Sequence, residues 1–189
     1  MPKTALSTNA VVDIAMRVVD EDGADALTLS AVSARAGVTT PSLYKHVSNL
    51  AELRALVSAR IMGELADRTG EAVLGRSADD AIRAFMGTWR RFVQQHPHRY
   101  AALIQSPDPR SADAGQRLVT VITATLRAYG MRESAAIHAA RCLRAAVHGF
   151  AVLEAQGGFG LPENLGDSYE LLMDVMIAGL RETRAQSCD

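Results

Sequence analysis

Cysteine is nearly absent from this chain: Cys142 and Cys188 are the only two among 189 residues, and neither stands in a CxxC pair. Two isolated thiols make neither a disulfide framework nor a thiolate metal cage, so a stapled secreted scaffold is excluded and a reducing compartment fits. No apolar run approaches the roughly 20 residues needed to cross a bilayer, and no charged stretch followed by an apolar one opens the sequence. The expectation is a soluble, cytoplasmic protein with no membrane partner. Catalytic signatures are missing as well: there is no GxSxG, no phosphate-cradling glycine loop and no HExxH. His138 and Cys142 stand four apart at helical spacing, but zinc wants more than two protein ligands and no further His or Cys lies at ligand spacing. His96-Pro97-His98 is a helix stop before it is a metal site. No enzyme activity, metal or cofactor is therefore expected. The formal net charge of -1 gives no general affinity for phosphates, so any contact with DNA has to be local. Both lysines, Lys3 and Lys45, fall in the first quarter, beside the acidic Asp20, Glu21, Asp22 and Asp25.

What the chain has is helix. It is 48% hydrophobic, and apolar residues recur at three and four along most of its length. Val11, Ile14, Ala15, Val18 and Val19 mark one face of a helix over residues 7–22, with Gly23 as its stop. A short second helix is expected from the hydroxyls of Thr28 to Ser30 up to Gly37. A third runs over residues 40–47, with Thr39 or Thr40 as cap and Pro41 at its first position. Asn49 caps a fourth over residues 49–66. A looser charged patch covers residues 70–80, and helices follow over 81–95, about 100–105, 112–129, 132–156 and 166–184, separated by His96-Pro97, Pro107-Asp108-Pro109, Gly130 and the glycine-rich run 157–162. No strand and no repeat is expected. The class is all-α, with a small helical domain over 1–50 and a larger one over 51–189.

Two short helices joined by Gly37-Val38-Thr39-Thr40 have the dimensions of a helix-turn-helix, whose second helix enters the major groove. Thr39, Thr40 and Ser42 offer hydroxyls to phosphates or bases. Pro41 and the Thr40 methyl suit a thymine methyl, and Lys45 reaches phosphate or guanine. Tyr44 and His46 have rings to pack against the small domain and polar atoms for the backbone. Spacing also admits a plainer alternative, in which Tyr44 is core, the threonines are caps and Lys45 is a solvated charge. The run LTLSAVSARAGVTTPSLYKHVSNLAEL, residues 27–53, resembles the DNA-binding region of TetR-family transcriptional regulators: a threonine before helix two, an Ala-Gly-Val turn, a polar pair before the reading helix and a Leu-Tyr-x-His ending. Residues 136–180, with Val147-His148-Gly149-Phe150 and Gly158-Phe159, resemble the C-terminal domain of one large subgroup. The resemblance implies that Thr28 and Tyr44 contact phosphates, that His46 completes the phosphate clamp, and that Thr39, Thr40, Pro41, Ser42 and Lys45 lie on the DNA face. Two positions depart from it. Many members have an aromatic where Val47 stands, and a lysine that supports a backbone phosphate where Leu50 stands.

The larger domain offers a seam for pairing. Ala135, Ala139, Cys142, Ala146, Gly149 and Leu153 line one stripe of the penultimate helix, and Tyr169, Met173, Met176 and Leu180 one stripe of the last. Paired across a two-fold axis, the two helices make a four-helix interface, the homodimer that the resemblance implies. Phe85, Met86, Trp89, Phe92, Tyr100, Leu103 and Leu126 are candidates to surround an apolar ligand, with His138, Arg141 or His148 orienting it. The alternative for each is a place in the core or, for Arg141, in a surface ion pair. The expected function is a ligand-responsive regulator, a repressor released from a palindromic operator in double-stranded DNA by a small-molecule effector. The rival is a ligand-binding or interaction protein whose helix-turn-helix, lacking the lysine at Leu50, no longer binds DNA.

Overall fold

The computed structural model describes residues 6–103 and 108–186; Lys3, Cys188 and the stretch 104–107 lie outside them. The described elements are α1 Thr8–Asp22, a 3-10 turn Ala24–Ala26, α2 Leu29–Ala36, α3 Thr40–Leu43, α4 Leu50–Val73, α5 Ala78–Gln95, α6 Pro97–Ala101, a 3-10 turn Pro109–Ser111, α7 Ala112–Leu126 with a closing 3-10 turn Arg127–Tyr129, α8 Glu133–Ala155 and α9 Leu165–Gln186. Among the described residues there is no strand, so the class is all-α as expected.

Most boundaries follow local chemistry. Ser7 caps α1 by accepting the Ala10 N–H, and Thr28 caps α2 by accepting that of Ala31. Gly37 closes α2 at φ 64°, a left-handed conformation that a side chain would resist. Several boundaries differ from expectation, among them the start of α5 at Ala78 rather than residue 81 and the end of α6 at Ala101; three others have a visible reason. The third helix stops at Leu43 rather than Val47; the chain continues as a turn over residues 44–46, with the N–H groups of His46 and Val47 both bonded to the Leu43 carbonyl. The fourth runs through the expected charged patch to Val73: Thr69 is fully buried and its hydroxyl donates to the Leu65 carbonyl at 2.8 Å, so the inward face continues past Ala66. Pro97 both ends α5 and starts α6, its missing N–H being harmless at a first turn, so this helix begins three residues before Tyr100.

The chain forms two compact units. Among the described residues the first holds 6–64, 96–103 and 108–114, the second 65–95 and 115–186. In the first, Val11, Ala15, Val18 and Val19 of α1 are buried together with Leu27, Val32, Leu43, Val47, Leu53, Val57 and Ile61. In the second, α5 contributes Phe85, Met86, Trp89 and Phe92, α8 contributes Leu143, Val147 and Ala151, and α9 contributes Tyr169, Met173, Ile177 and Leu180.

One ion pair fastens the core of the second unit. Arg90 donates to both oxygens of Glu154 at 2.7 and 2.6 Å, and its guanidinium lies 5.4 Å from the Phe150 ring centroid and 4.6 Å from that of Tyr169. The Tyr169 hydroxyl donates to the Met86 carbonyl at 2.8 Å. The Arg90 hydrogen bonds hold the Glu154 carboxyl below its ordinary range, against the opposing effect of burial. Because the native state lowers this pKa, the pair's contribution is present at neutral pH and is lost as acid protonates Glu154. E154Q, which keeps the shape and removes the titration, should cost about 1–3 kcal/mol at pH 7 and show a shallower loss of stability on acidification than the parent. Chemical denaturation at several pH values measures this; parallel acid limbs would contradict it.

Candidate nucleic-acid interface

In the first unit, residues 39–46 form a single turn of helix and the bend after it, anchored by two buried side chains, Leu43 and Val47. Val47 is 2% exposed; a larger ring at that position would have to displace core, which gives the departure from the family pattern a packing role. Around this anchor Thr39, Pro41, Tyr44 and Lys45 are exposed, while Thr40, Ser42 and His46 are half-buried. Tyr44 is 55% exposed, so its ring is not core.

The hydroxyls are held in place by one another. Ser33, buried in α2, donates to the Ser30 carbonyl at 2.9 Å, and its Oγ lies 3.0 Å from Thr40 Oγ1. With the Ser33 proton committed, Thr40 is the donor in that pair and keeps only acceptor capacity for anything outside. Thr39 Oγ1 and Ser42 Oγ lie 3.0 Å apart, and Thr28 is occupied as the α2 cap. The His46 carbonyl accepts from the Thr8 hydroxyl at 3.2 Å, tying the end of the segment to the start of α1. Asn49 Oδ1 accepts the Glu52 N–H at 2.8 Å, capping α4, while the Glu52 carboxylate accepts the Ser48 N–H at 2.6 Å, a bond that holds the carboxyl below its ordinary range. Leu50, the first residue of α4, is half-buried. The arrangement presents one cation, one phenol and a row of hydroxyls from a rigidly anchored turn, a set that suits phosphate oxygens and base edges.

In the second unit, Phe85, Met86, Trp89, Phe92 and Leu126 are buried, and the Phe85 and Trp89 rings meet edge to face at 5.6 Å. Tyr100 and Leu103 are buried too, but they belong to the first unit. His138 and Arg141 are exposed. His148 is half-buried, and burial, reinforced by the Arg144 charge, lowers its pKa. Phe92 lines an open cleft of about 370 Å³ with Arg68, Thr88 and Arg91.

Of the pairing stripes, Cys142 and Leu153 are exposed on α8, with Ala139, Ala146 and Gly149 half-buried. On α9 the stripe of Tyr169, Met173 and Leu180 is buried within the unit, with Met176 half-buried. The apolar residues that α9 leaves outside are Leu171, 64% exposed, and Val175, 59% exposed. Ala178 and Gly179 continue that exposed row at helical spacing. The last helix is apolar on two faces, and periodicity alone favoured the one with the larger side chains. The signal for the other was present in the spacing of Leu171, Val175 and Ala178.

Two family models match the chain. The TetR family of bacterial regulatory proteins matches residues 11–55, and a tetracyclin repressor-like C-terminal domain matches residues 82–176. The HTH-type transcriptional regulator YobS of Bacillus subtilis is 32% identical over 181 residues, covering 95% of this chain and 95% of its own length. Solved structures share the fold: ActR of Streptomyces coelicolor in complex with (S)-DNPA has a TM-score of 0.69 at 20% identity over 93% of this chain and 96% of its own. BioQ with its natural double-stranded DNA operator has a TM-score of 0.67 at 23% identity over 92% of this chain and 99% of its own. With a helix-turn-helix of this geometry at one end and matches over both segments, the chain belongs to the TetR family of transcriptional regulators.

Proposed function

We propose that the protein is a homodimeric repressor that leaves a palindromic operator when a small molecule binds, with residues 1–50 as the DNA-binding part and residues 51–189 as the part that takes the ligand and pairs the subunits. The observation that carries the reading is the exposed set Thr39, Pro41, Tyr44 and Lys45 standing on the buried pair Leu43 and Val47. The turn is fixed and its polar groups face outward. Thr40 and Ser42 belong to the same surface, His46 and Thr28 flank it, and two copies related by a two-fold axis fit half-sites about one helical turn apart. The pairing face is the exposed side of α8 around Cys142 and Leu153 with Leu171 and Val175 of α9. The effector class is an apolar molecule bound among the aromatic side chains of α5, with His148 among the few polar groups that orient it. ActR with (S)-DNPA and BioQ on its operator, similar in fold, support both halves of this reading. The protein is a cytoplasmic regulator and not an enzyme.

Selecting binding sites for the purified protein from a random duplex pool, at two salt concentrations, tests the reading, since specific and merely electrostatic binding separate there. Enrichment of a palindrome is the expected result. If no sequence is enriched, the ligand-binding reading without DNA takes first place, as the absence of a lysine at Leu50 suggests. With an operator in hand, Tyr44→Phe should weaken binding to all sequences alike, whereas Thr40→Val or Ser42→Ala should change which sequences are preferred. A uniform loss in the latter two would remove them from the base-reading set.

A further inference from the structure

The last turn of α1 carries three consecutive carboxylates, Asp20, Glu21 and Asp22, and no basic residue. A helix C-terminus is the negative end of the backbone dipole, so carboxylates are disfavoured there. Two arginines from different helices offset that cost. Arg99 of α6 meets Asp20 with two parallel hydrogen bonds, Nε to Oδ1 at 2.6 Å and Nη2 to Oδ2 at 2.7 Å, and its Nη1 donates to Glu64 of α4 at 2.7 Å. His98 Nδ1 lies 3.1 Å from the Asp20 carbonyl oxygen. On the other side Arg35, in the last turn of α2, donates to Glu21 at 2.5 Å and Asp22 at 2.8 Å. One residue after Arg35 the helix ends, and Gly37 turns the chain into residues 39–45.

In sequence α6 lies between α5 and α7, yet it folds as part of the first unit. Beside the buried Tyr100, its grip there includes the bidentate pair, the strongest form an arginine makes with a carboxylate, and the Arg99 side chain is only 20% exposed, so water screens it less than a surface pair.

We propose that the acidic end of α1 is a coupling hub and that Arg99 is a positioning residue for DNA recognition: its bridge from Asp20 to Glu64 fixes α1 so that Arg35 holds α2, and the turn leading from it, in the arrangement that fits the groove. This rests on the DNA-binding role of residues 39–45. With Arg99 removed, three neighbouring carboxylates remain at a helix C-terminus with Arg35 as the arginine still paired there, so the last turn of α1, which carries the oxygens that hold Arg35, frays. The tether of α2 loosens although no DNA contact has been touched.

The test uses the full chain with R99Q, R35Q and the double variant, read in two ways. Hydrogen exchange of the amides of residues 29–47, without DNA, reports the tether itself. Affinity for the selected operator and for a random duplex of equal length reports its consequence. R99Q is expected to speed exchange in residues 29–47 and to weaken operator binding roughly tenfold, the scale of coupling between groups in one network. Affinity for the random duplex should stay unchanged, because every phosphate contact remains. Adding R99Q to R35Q should cost little more than R35Q alone. R99K keeps the charge but not the planar fork, so it should fall between, and it serves as the test if R99Q does not fold. Wild-type exchange in residues 29–47, or losses that simply add, would overturn the proposal. If the wild-type protein enriches no DNA sequence, the DNA-binding reading fails by itself, and exchange still decides whether Arg99 and Arg35 are coupled.

Discussion

Val175→Glu should convert the protein to monomers in sedimentation and weaken operator binding by about 10³-fold or more, the largest effect expected of any single substitution considered. Val175 stands four residues from Leu171 on the outer side of α9, opposite the buried row of Tyr169, Met173 and Leu180. A helix that is apolar on two faces has two partners. The inward partner is within the unit, where the Tyr169 hydroxyl reaches the Met86 carbonyl. Under the dimeric reading the outward partner is the second subunit, and a two-fold axis brings each substitution in twice, so two carboxylates would be buried without partners, at several kcal/mol each. A monomer holds one half-site and loses about half of the binding free energy. Since Val175 is already in water in the isolated unit, V175E should leave the fold intact, with an unchanged helical signal by circular dichroism. A dimer that persists with wild-type affinity would place the pairing face elsewhere.

Much of the fold was legible because its signals are local. Ser7, Thr28, Gly37, Asn49 and Gly130 each stop or start a helix through a bond to a residue at most five positions away, and each does so here. The turn between α2 and α3 was legible for the same reason, since Gly37 and Pro41 act on their immediate neighbours. What escaped the sequence depends on residues far apart. That α6 sides with the first unit rests on the burial of Tyr100 there and on Arg99 reaching Asp20 and Glu64, 79 and 35 positions away. That Thr69 continues the inner face of α4 beyond Ala66 is decided by packing, since a threonine at that spacing reads as polar. Which side of α9 faces its own core is likewise a tertiary choice. The acidic triplet at the end of α1 stood in the sequence only as a counterweight to the two lysines nearby, and charge counting has no way to see that arginines 13 to 79 positions away pair with it.

The second large effect belongs to Lys45→Ala. Lys45 is exposed on the anchored turn beside Tyr44 and is the one lysine among the described residues. Its ammonium is a compact charge on a flexible stem, suited either to a phosphate oxygen or to the O6 and N7 edge of a guanine. The two roles separate cleanly by experiment. A phosphate contact releases counterions, so its loss should weaken binding to every sequence alike and reduce the salt dependence by close to one ion per subunit, about two for a dimer. A guanine contact should cost about 1–3 kcal/mol per half-site at one base position and leave other sequences nearly untouched. In a two-fold complex either loss is counted twice, which makes an overall weakening on the order of 10²-fold the expected result. The anchored geometry favours the phosphate role: the lysine follows Tyr44 at the C-terminal end of the turn, whereas bases are met by residues at the N-terminal end of a reading helix. The expected outcome is therefore a uniform loss with a shallower salt slope. A changed base preference at an unchanged slope would move Lys45 into the reading set, and an unchanged affinity would remove it from the interface.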